Sequence, residues 1–338
     1  MKKLFALAMV LLVLSAAVFA QGETEAPKYP TRTINLVVPF NPGGSTDLTN
    51  RAIASGLQNA LGGQINVTNT PGAGSATGTM SVINAPADGY TMLGQGILSF
   101  STLPVASNGA IKSTYKDWEI WVATYVPNAI CVGKNSPYNT IEDLIADMQK
   151  RPGEITFGTG GNTSGGRFGT EVLNAIAGAP AKHIPYNGGA AAKVALLSGE
   201  IDVCPQLVCE LYNEIIAGDV KCLAVLSAED IEIAPGVVCP SILKSYPNAK
   251  NIPMGEYTAV MVKKGTPANV VEALDKAFEA TVNSAEFKDF CAQQRFTVAA
   301  MGRDASQKFL NTFAPVAANI LWEGGAADTD PATVGLGL

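Results

Sequence analysis

The chain has 338 residues, a formal net charge of −6, 15% charged residues and 47% hydrophobic residues. A charged share below the usual ~25%, with acid in excess, excludes the basic face that nucleic-acid binding needs. Bulk charge would also repel an anionic ligand, so any anion site has to be local.

Lys2 and Lys3 precede an apolar run from Leu4 to Val13, which Ala16, Ala17 and Ala20 close. That layout reads as a secretory signal peptide over residues 1–20, cleaved after Ala20. The run is short for a bilayer span of roughly 20 residues. A periplasmic or otherwise extracytoplasmic mature chain follows. At roughly 100–200 residues per domain, the rest forms one large or two medium domains.

In chain order, Ile34–Val38 reads as a β-branched strand, and residues 47–61 as a helix with Leu48, Ile53 and Leu57 on one face, stopped at Gly62-Gly63. Strand 65–68, a helical run ending at Asn84 and strand 91–93 complete a βαβαβ order, which implies a parallel sheet with helices on its faces. The middle repeats the scheme. It has strand 130–132, a helix capped by Thr140 and running through Lys150, strand 155–158, helix 165–177, strand 183–185, helix 190–197, strand 201–204, a helix ending at Ala217 and strand 220–226. The last third has strand 257–262 and helical runs 267–283, 285–294 and 305–322. Pro267 suits a helix start, where its missing N–H costs nothing. The Gly-, Ala- and Asp-rich tail, 324–338, reads as loosely held.

Four Gly-rich loops follow predicted strands, at 40–47, 71–78, 159–166 and 186–190. In a parallel sheet such loops gather at the carboxyl edge, where ligands bind. Glycines let backbone approach a ligand, and the N–H groups at a helix start are unpaired and partly positive. Together they make a carboxylate or phosphate site without Arg or Lys. Ordinary tight turns are the competing reading of any single loop.

Nucleotide and enzyme motifs are missing. Gly72, Gly74 and Gly78 give GxGxxxG rather than GxGxxG, and no GxxxxGK[ST] or GxSxG occurs. His183, the sole histidine, sits in a strand and reads as structural. No CxxC pair is present among Cys131, Cys204, Cys209, Cys222, Cys239 and Cys291, so no zinc site is expected. No cofactor is expected either.

The run Val37-Val38-Pro39-Phe40-Asn41-Pro42-Gly43-Gly44-Ser45-Thr46-Asp47, with Arg51 one turn later, resembles the opening signature of the tripartite tricarboxylate transporter solute-binding proteins, the Bug family. Asn69–Gly74, Ala87–Thr91, His183–Gly189, Leu197–Asp202 and Lys264–Pro267 resemble its further signatures, in order and over nearly the whole mature chain. The resemblance implies an α/β, two-lobed type II periplasmic binding protein fold, with parallel-rich sheets, helices on both faces and a ligand cleft between lobes. It implies a monomer that captures a small organic acid and hands it to the membrane permease subunits of the transporter.

Carried over, the ligand-binding residues are Phe40, Asn41, Gly43, Gly44, Ser45, Thr46 and Asp47 on one side. Thr159, Gly160, Asn162, Thr163, Ser164, Tyr186, Asn187 and Gly188 face them, with Ser99 (in the stretch from Gln95) and Gln206 in support. The chain departs from the pattern at Asn41, at Thr68-Asn69 and in its cysteine count, which leaves the identity of the carboxylate open. A sensor partner of a membrane kinase and a hydrolase acting at Ser45 or Ser164 are the rival functions.

Four finer expectations follow. One lobe holds 28–125 plus 257–323, and the other 126–256. Asp47 is structural, taking backbone N–H bonds at its helix start and pairing with Arg51. Arg167 either reads a second acidic group or is solvated. Cys204 and Cys222, on strands that one βαβ unit usually makes neighbours, have the spacing for a bridge, while buried free thiols are the commoner outcome.

Overall fold

A computed structural model describes residues 29–338 apart from Thr163, Pro253 and Met254. The expected signal peptide lies outside the described residues. The first third runs β1 (Ile34–Val38), α1 (Ser45–Leu61), β2 (Ile65–Asn69), α2 (Ala76–Ile83), β3 (Thr91–Gly96), α3 (Ile97–Ala106) and β4 (Trp118–Gly133). The middle runs α4 (Ile141–Lys150), β5 (Thr156–Thr159), α5 (Gly165–Ala177), β6 (Lys182–Pro185), α6 (Gly189–Ser198), β7 (Val203–Leu207), α7 (Val208–Ile216) and β8 (Val220–Leu226). A hairpin of β9 (Ile231–Ala234) and β10 (Val237–Cys239) follows, then β11 (Gly255–Lys263), α8 (Ala268–Asn283), α9 (Ala285–Gln294), β12 (Thr297–Met301) and α10 (Arg303–Glu323).

Local signals explain most boundaries. Thr140 accepts from the Asp143 N–H while the Asp143 side chain accepts from Thr140 N, a reciprocal cap that starts α4. Gly62 adopts φ 64° and donates to Gln58 O, ending α1. The missed α3 is buried on every face from Ile97 to Val105 and contains Pro104, so it shows no amphipathic stripe.

The large sheet has the order β2-β1-β3-β11-β4-β7-β5-β6, with β12 and β8 also paired to β4. Its flanks are parallel: β1 with β2 and β3, and β5 with β6 and β7. Its centre is antiparallel, through β11 and β4. The architecture is therefore more mixed than βαβ counting implies. The expected strand 130–132 is the end of a 16-residue strand whose first half is buried on both faces and so does not alternate.

β4 organises the molecule. Residues 118–127 pair with β11, and residues 128–133 with β7 and β8. In the first part β3 ends where β4 reaches Thr124, because Gly96 and Thr124 both oppose Thr258. In the second part β7 ends where β4 reaches Asn128, because Leu207 opposes it. Thr159 of β5 and Pro185 of β6 end at the same level. Both carboxyl edges thus point at residues 126–128 from opposite sides.

Two expectations are corrected here. β7 and β8 are not neighbours: β4 runs between them, and Cys131 opposes both Cys204 and Cys222. All six cysteines are free. The tail is packed rather than loose. Leu336 is buried, Asn319 Nδ2 donates to Leu336 O, Lys116 Nζ donates to Gly335 O, and the N–H groups of Asp328 and Thr329 donate to Val105 O. Its composition hid this because two apolar side chains, Ala327 and Leu336, anchor it.

Candidate functional site

On the first edge, α1 begins at Ser45 with no side chain capping it. The N–H groups of Ser45, Thr46 and Asp47 have no intrahelical acceptor, since the first helical bond is Leu48 N to Gly44 O. Gly43 holds φ 88°, which a side chain would strain. Asp47 is buried beneath this loop. It accepts from Gly43 N (2.8 Å), Arg51 Nε (3.0 Å) and Asn69 Nδ2 (2.8 Å). Asn69 Nδ2 also donates to Phe40 O, and Arg51 Nη2 donates to Asn69 Oδ1. Burial opposes ionisation of Asp47, yet bonds from Arg51, Gly43 and Asn69 hold its carboxyl below the ordinary range. Asp47 and Arg51 therefore pair as expected and brace the loop 40–47 against the end of β2. Phe40 is half-buried, and Asn41, Gly43 and Gly44 are exposed above the brace.

Beside it, Gln95 Nε2 donates to Ser75 Oγ and Gln95 Oε1 accepts from Thr79 Oγ1, tying the end of β3 to the loop after β2. Ser99 lies buried in the first turn of α3.

On the second edge, Thr159 Oγ1 is 2.7 Å from His183 Nε2 and also bonds Gly161 O. Ser164 caps α5 by accepting from Arg167 N, and its hydroxyl donates to Gly161 O. Tyr186 N donates to Thr159 O, and Gly188 N to Gly160 O, so the loops after β5 and β6 form one ledge. Gly188, at φ 96°, precedes the uncapped start of α6. Gln206, 4% exposed, ends β7 beside Gly189, where any Cβ would collide with its amide. Its Nε2 has no hydrogen-bond partner. Asn128, at the crossing of β4, donates to Gly165 O while its Oδ1 stays unpaired.

The expected residues thus fall on two facing ledges. Asn162, Asn187 and Gly188 are exposed at the rim, Thr159 and Gln206 lie at the base, and Gly160 and Ser164 lie between. Thr163 is outside the described residues. The Tyr186 hydroxyl is committed elsewhere, donating to Glu200 at 2.6 Å, so only its backbone borders the ledge. Arg167 is neither solvated nor free to read a ligand: it pairs with Glu171 at 2.5 Å, one turn along α5, with 15% and 1% of the side chains exposed.

Sequence reading named His183 as structural and missed two residues, Glu210 and Glu256. Burial, followed by the charge of Arg167, pushes the His183 imidazole down to about 4, so it is neutral at pH 7. Burial pushes Glu210, on α7 beside Gly189, up to about 7, with Lys193 opposing. Glu256, at the start of β11, is pushed up to about 8 by burial, against bonds from the N–H groups of Leu98 and Tyr257. An acid inside an otherwise apolar strand, Gly255–Lys263, was the available signal.

No nucleophile–base pair accompanies Ser45 or Ser164 among the described residues: the one histidine bonds Thr159, and the Ser164 hydroxyl is spent on Gly161 O. The arrangement gathers unpaired hydrogen-bond donors at two carboxyl edges, which is chemistry for holding an anion.

Residues 49–320 match the model of the tripartite tricarboxylate transporter family receptor. BugT of Bordetella pertussis is 33% identical over 275 residues, spanning 79% of this chain and 82% of BugT. The periplasmic binding protein BugD superposes with a TM-score of 0.76 at 26% identity, covering 89% of this chain and 100% of BugD. The structure of R. palustris Rpa4515 with adipate shares the fold, with a TM-score of 0.76 at 24% identity over 88% of this chain and 99% of that one. The chain belongs to the tripartite tricarboxylate transporter receptor family and has its two-lobed type II periplasmic binding protein fold.

Proposed function

We propose that the chain is an extracytoplasmic receptor that captures one small organic carboxylate between the loop 40–47 and the loops 159–164 and 186–188, and delivers it to a membrane permease. The observation that carries this is the convergence of two carboxyl edges on residues 126–128. Uncapped helix starts stand on both edges, at α1 and α6. Such N–H groups favour an anion without a counter-cation, which fits a chain of net charge −6. The adipate bound by Rpa4515 supports the ligand class.

The lobes are 28–125 plus 257–323 and 126–256, so β4 and β11 are the crossings about which they close. Gly44, Ser45 and Thr46 take one end of the ligand. Gly160, Gly188 and Gln206 take the other. Asp47, His183 and Thr159 set the loops rather than touch the ligand. The receptor performs no turnover.

A thermal-shift screen of mono-, di- and tricarboxylates tests this. A true ligand at 100 times its Kd adds about 2.7 kcal/mol of stability. Chemical conversion of the stabilising compound by the purified chain would contradict a pure receptor.

A further inference from the structure

Glu256 is 7% exposed and belongs to the first carboxyl edge, where its strand partner is Val126. Its Oε1 accepts from Leu98 N at 2.9 Å, in the first turn of α3. α3 has ten residues and no side-chain cap of its own. The approach is close: a Cβ on Gly96 would stand 2.7 Å from that oxygen, so glycine there lets the carboxyl reach the helix end. Glu256 has no cationic partner among the described residues. Its neighbour in kind, Glu210, stands beside α6 but has Lys193 to offset its charge.

An unpaired buried acid is costly, and it persists where something holds it. Burial keeps the proton on Glu256 near neutral pH, and the Leu98 N–H at the start of α3 satisfies the oxygen that reaches it. Helices α1, α3 and α6 are among those that begin at the two carboxyl edges. Of these three, only α3 has, among the described residues, a carboxyl hydrogen-bonded to its first turn.

We propose that Glu256 is a specificity residue of the cleft: its carboxyl already occupies the Leu98 N–H at the start of α3, so that this corner accepts neutral groups of a ligand and withholds that N–H from a carboxylate. The proposal rests on reading the cleft as a carboxylate receptor. It divides the helix starts into two that greet the ligand's acid groups and one that is already occupied. A ligand lying toward Ser99 then presents a hydroxyl, a carbonyl or an alkyl chain there.

Two measurements on the full chain test the occupancy, and neither needs the natural ligand. In the unmodified protein the Leu98 amide signal is expected to ignore added sodium acetate, matched against sodium chloride. A saturable acetate shift at Leu98 would show the position open and overturn the proposal. In Glu256→Ala the position is vacated, and acetate is expected to raise Tm by several degrees more than in the unmodified protein. Equal acetate responses overturn it as well. The amide measurement stands if the alanine variant does not fold.

The selectivity is read by titration with succinate and butyrate. Glu256→Ala is expected to raise the affinity ratio of succinate to butyrate at least about tenfold, or 1.4 kcal/mol. A ratio unchanged within about threefold, in a variant that binds, removes the specificity role. A chain that binds no carboxylate at all refutes the receptor reading, and the acetate responses still decide whether Glu256 fills α3.

Discussion

The Oγ1 of Thr159 and the Nε2 of His183 are 2.7 Å apart, and this bond joins the last residue of β5 to β6 at the base of the second ledge. The imidazole is neutral in the fold because burial, then Arg167, lowers it to about 4 from an ordinary 6.5. A base with a depressed folded pKa stabilises fully above its unfolded value and loses that contribution as pH falls. The window here runs from pH 6.5 down to about 4. Over it His183 removes on the order of 1–3 kcal/mol of stability. Urea unfolding at several pH values should show a shallower acid loss for His183→Gln than for the unmodified chain. Parallel curves would mean that His183 titrates freely.

Asp47 supports the first ledge from below. Asp47→Asn weakens the bonds to Arg51 and Gly43, and it should cost roughly 1–3 kcal/mol of stability. Binding should weaken by a common factor for every carboxylate tested. Loss confined to amino acids would instead place an ammonium group on Asp47.

Gln206 gives opposite signs for stability and binding. Its buried Nε2 lacks a partner, and such a donor is costly until something accepts from it. Gln206→Met should leave Tm unchanged or raised, while affinity falls roughly tenfold, about 1.4 kcal/mol. A Tm that drops together with affinity would mean the amide serves the fold.

Arg167 and Glu171 form a buried structural pair. Removing one partner leaves the other charge uncompensated, so Arg167→Met should cost about 3–5 kcal/mol, and adding Glu171→Leu should recover much of it. Dicarboxylate affinity of the folded double variant should stay within threefold of the unmodified chain, a difference under about 0.7 kcal/mol. A larger loss would return Arg167 to the ligand.

Much of this architecture is legible in the sequence, because short β-branched runs and amphipathic helices carry their own period. Ile34–Val38, Gly165–Ala177, Val220–Leu226 and Ala285–Gln294 have the same bounds in the structure as in the pattern. The loops 40–47, 159–164 and 186–188 were legible because glycine and hydroxyl residues recur after several strands, although any one such loop also reads as an ordinary turn. Pairing across the crossing was not legible. β4 is buried on both faces for most of its length, so neither its 16 residues nor its place between β7 and β8 leaves an alternating trace. The buried Glu256 left only one local trace, an acid in a mostly apolar strand, because the helix start it bonds lies 158 residues away in the chain.

An equilibrium titration tests capture between the two ledges most directly. The purified chain is titrated calorimetrically with the carboxylate that stabilises it most, and its radius of gyration is measured with and without that compound. One ligand per chain, a negative heat-capacity change and a smaller radius are predicted, as two lobes bury surface around the ligand. No carboxylate binding to the folded chain, or binding without compaction, would contradict capture between the two ledges.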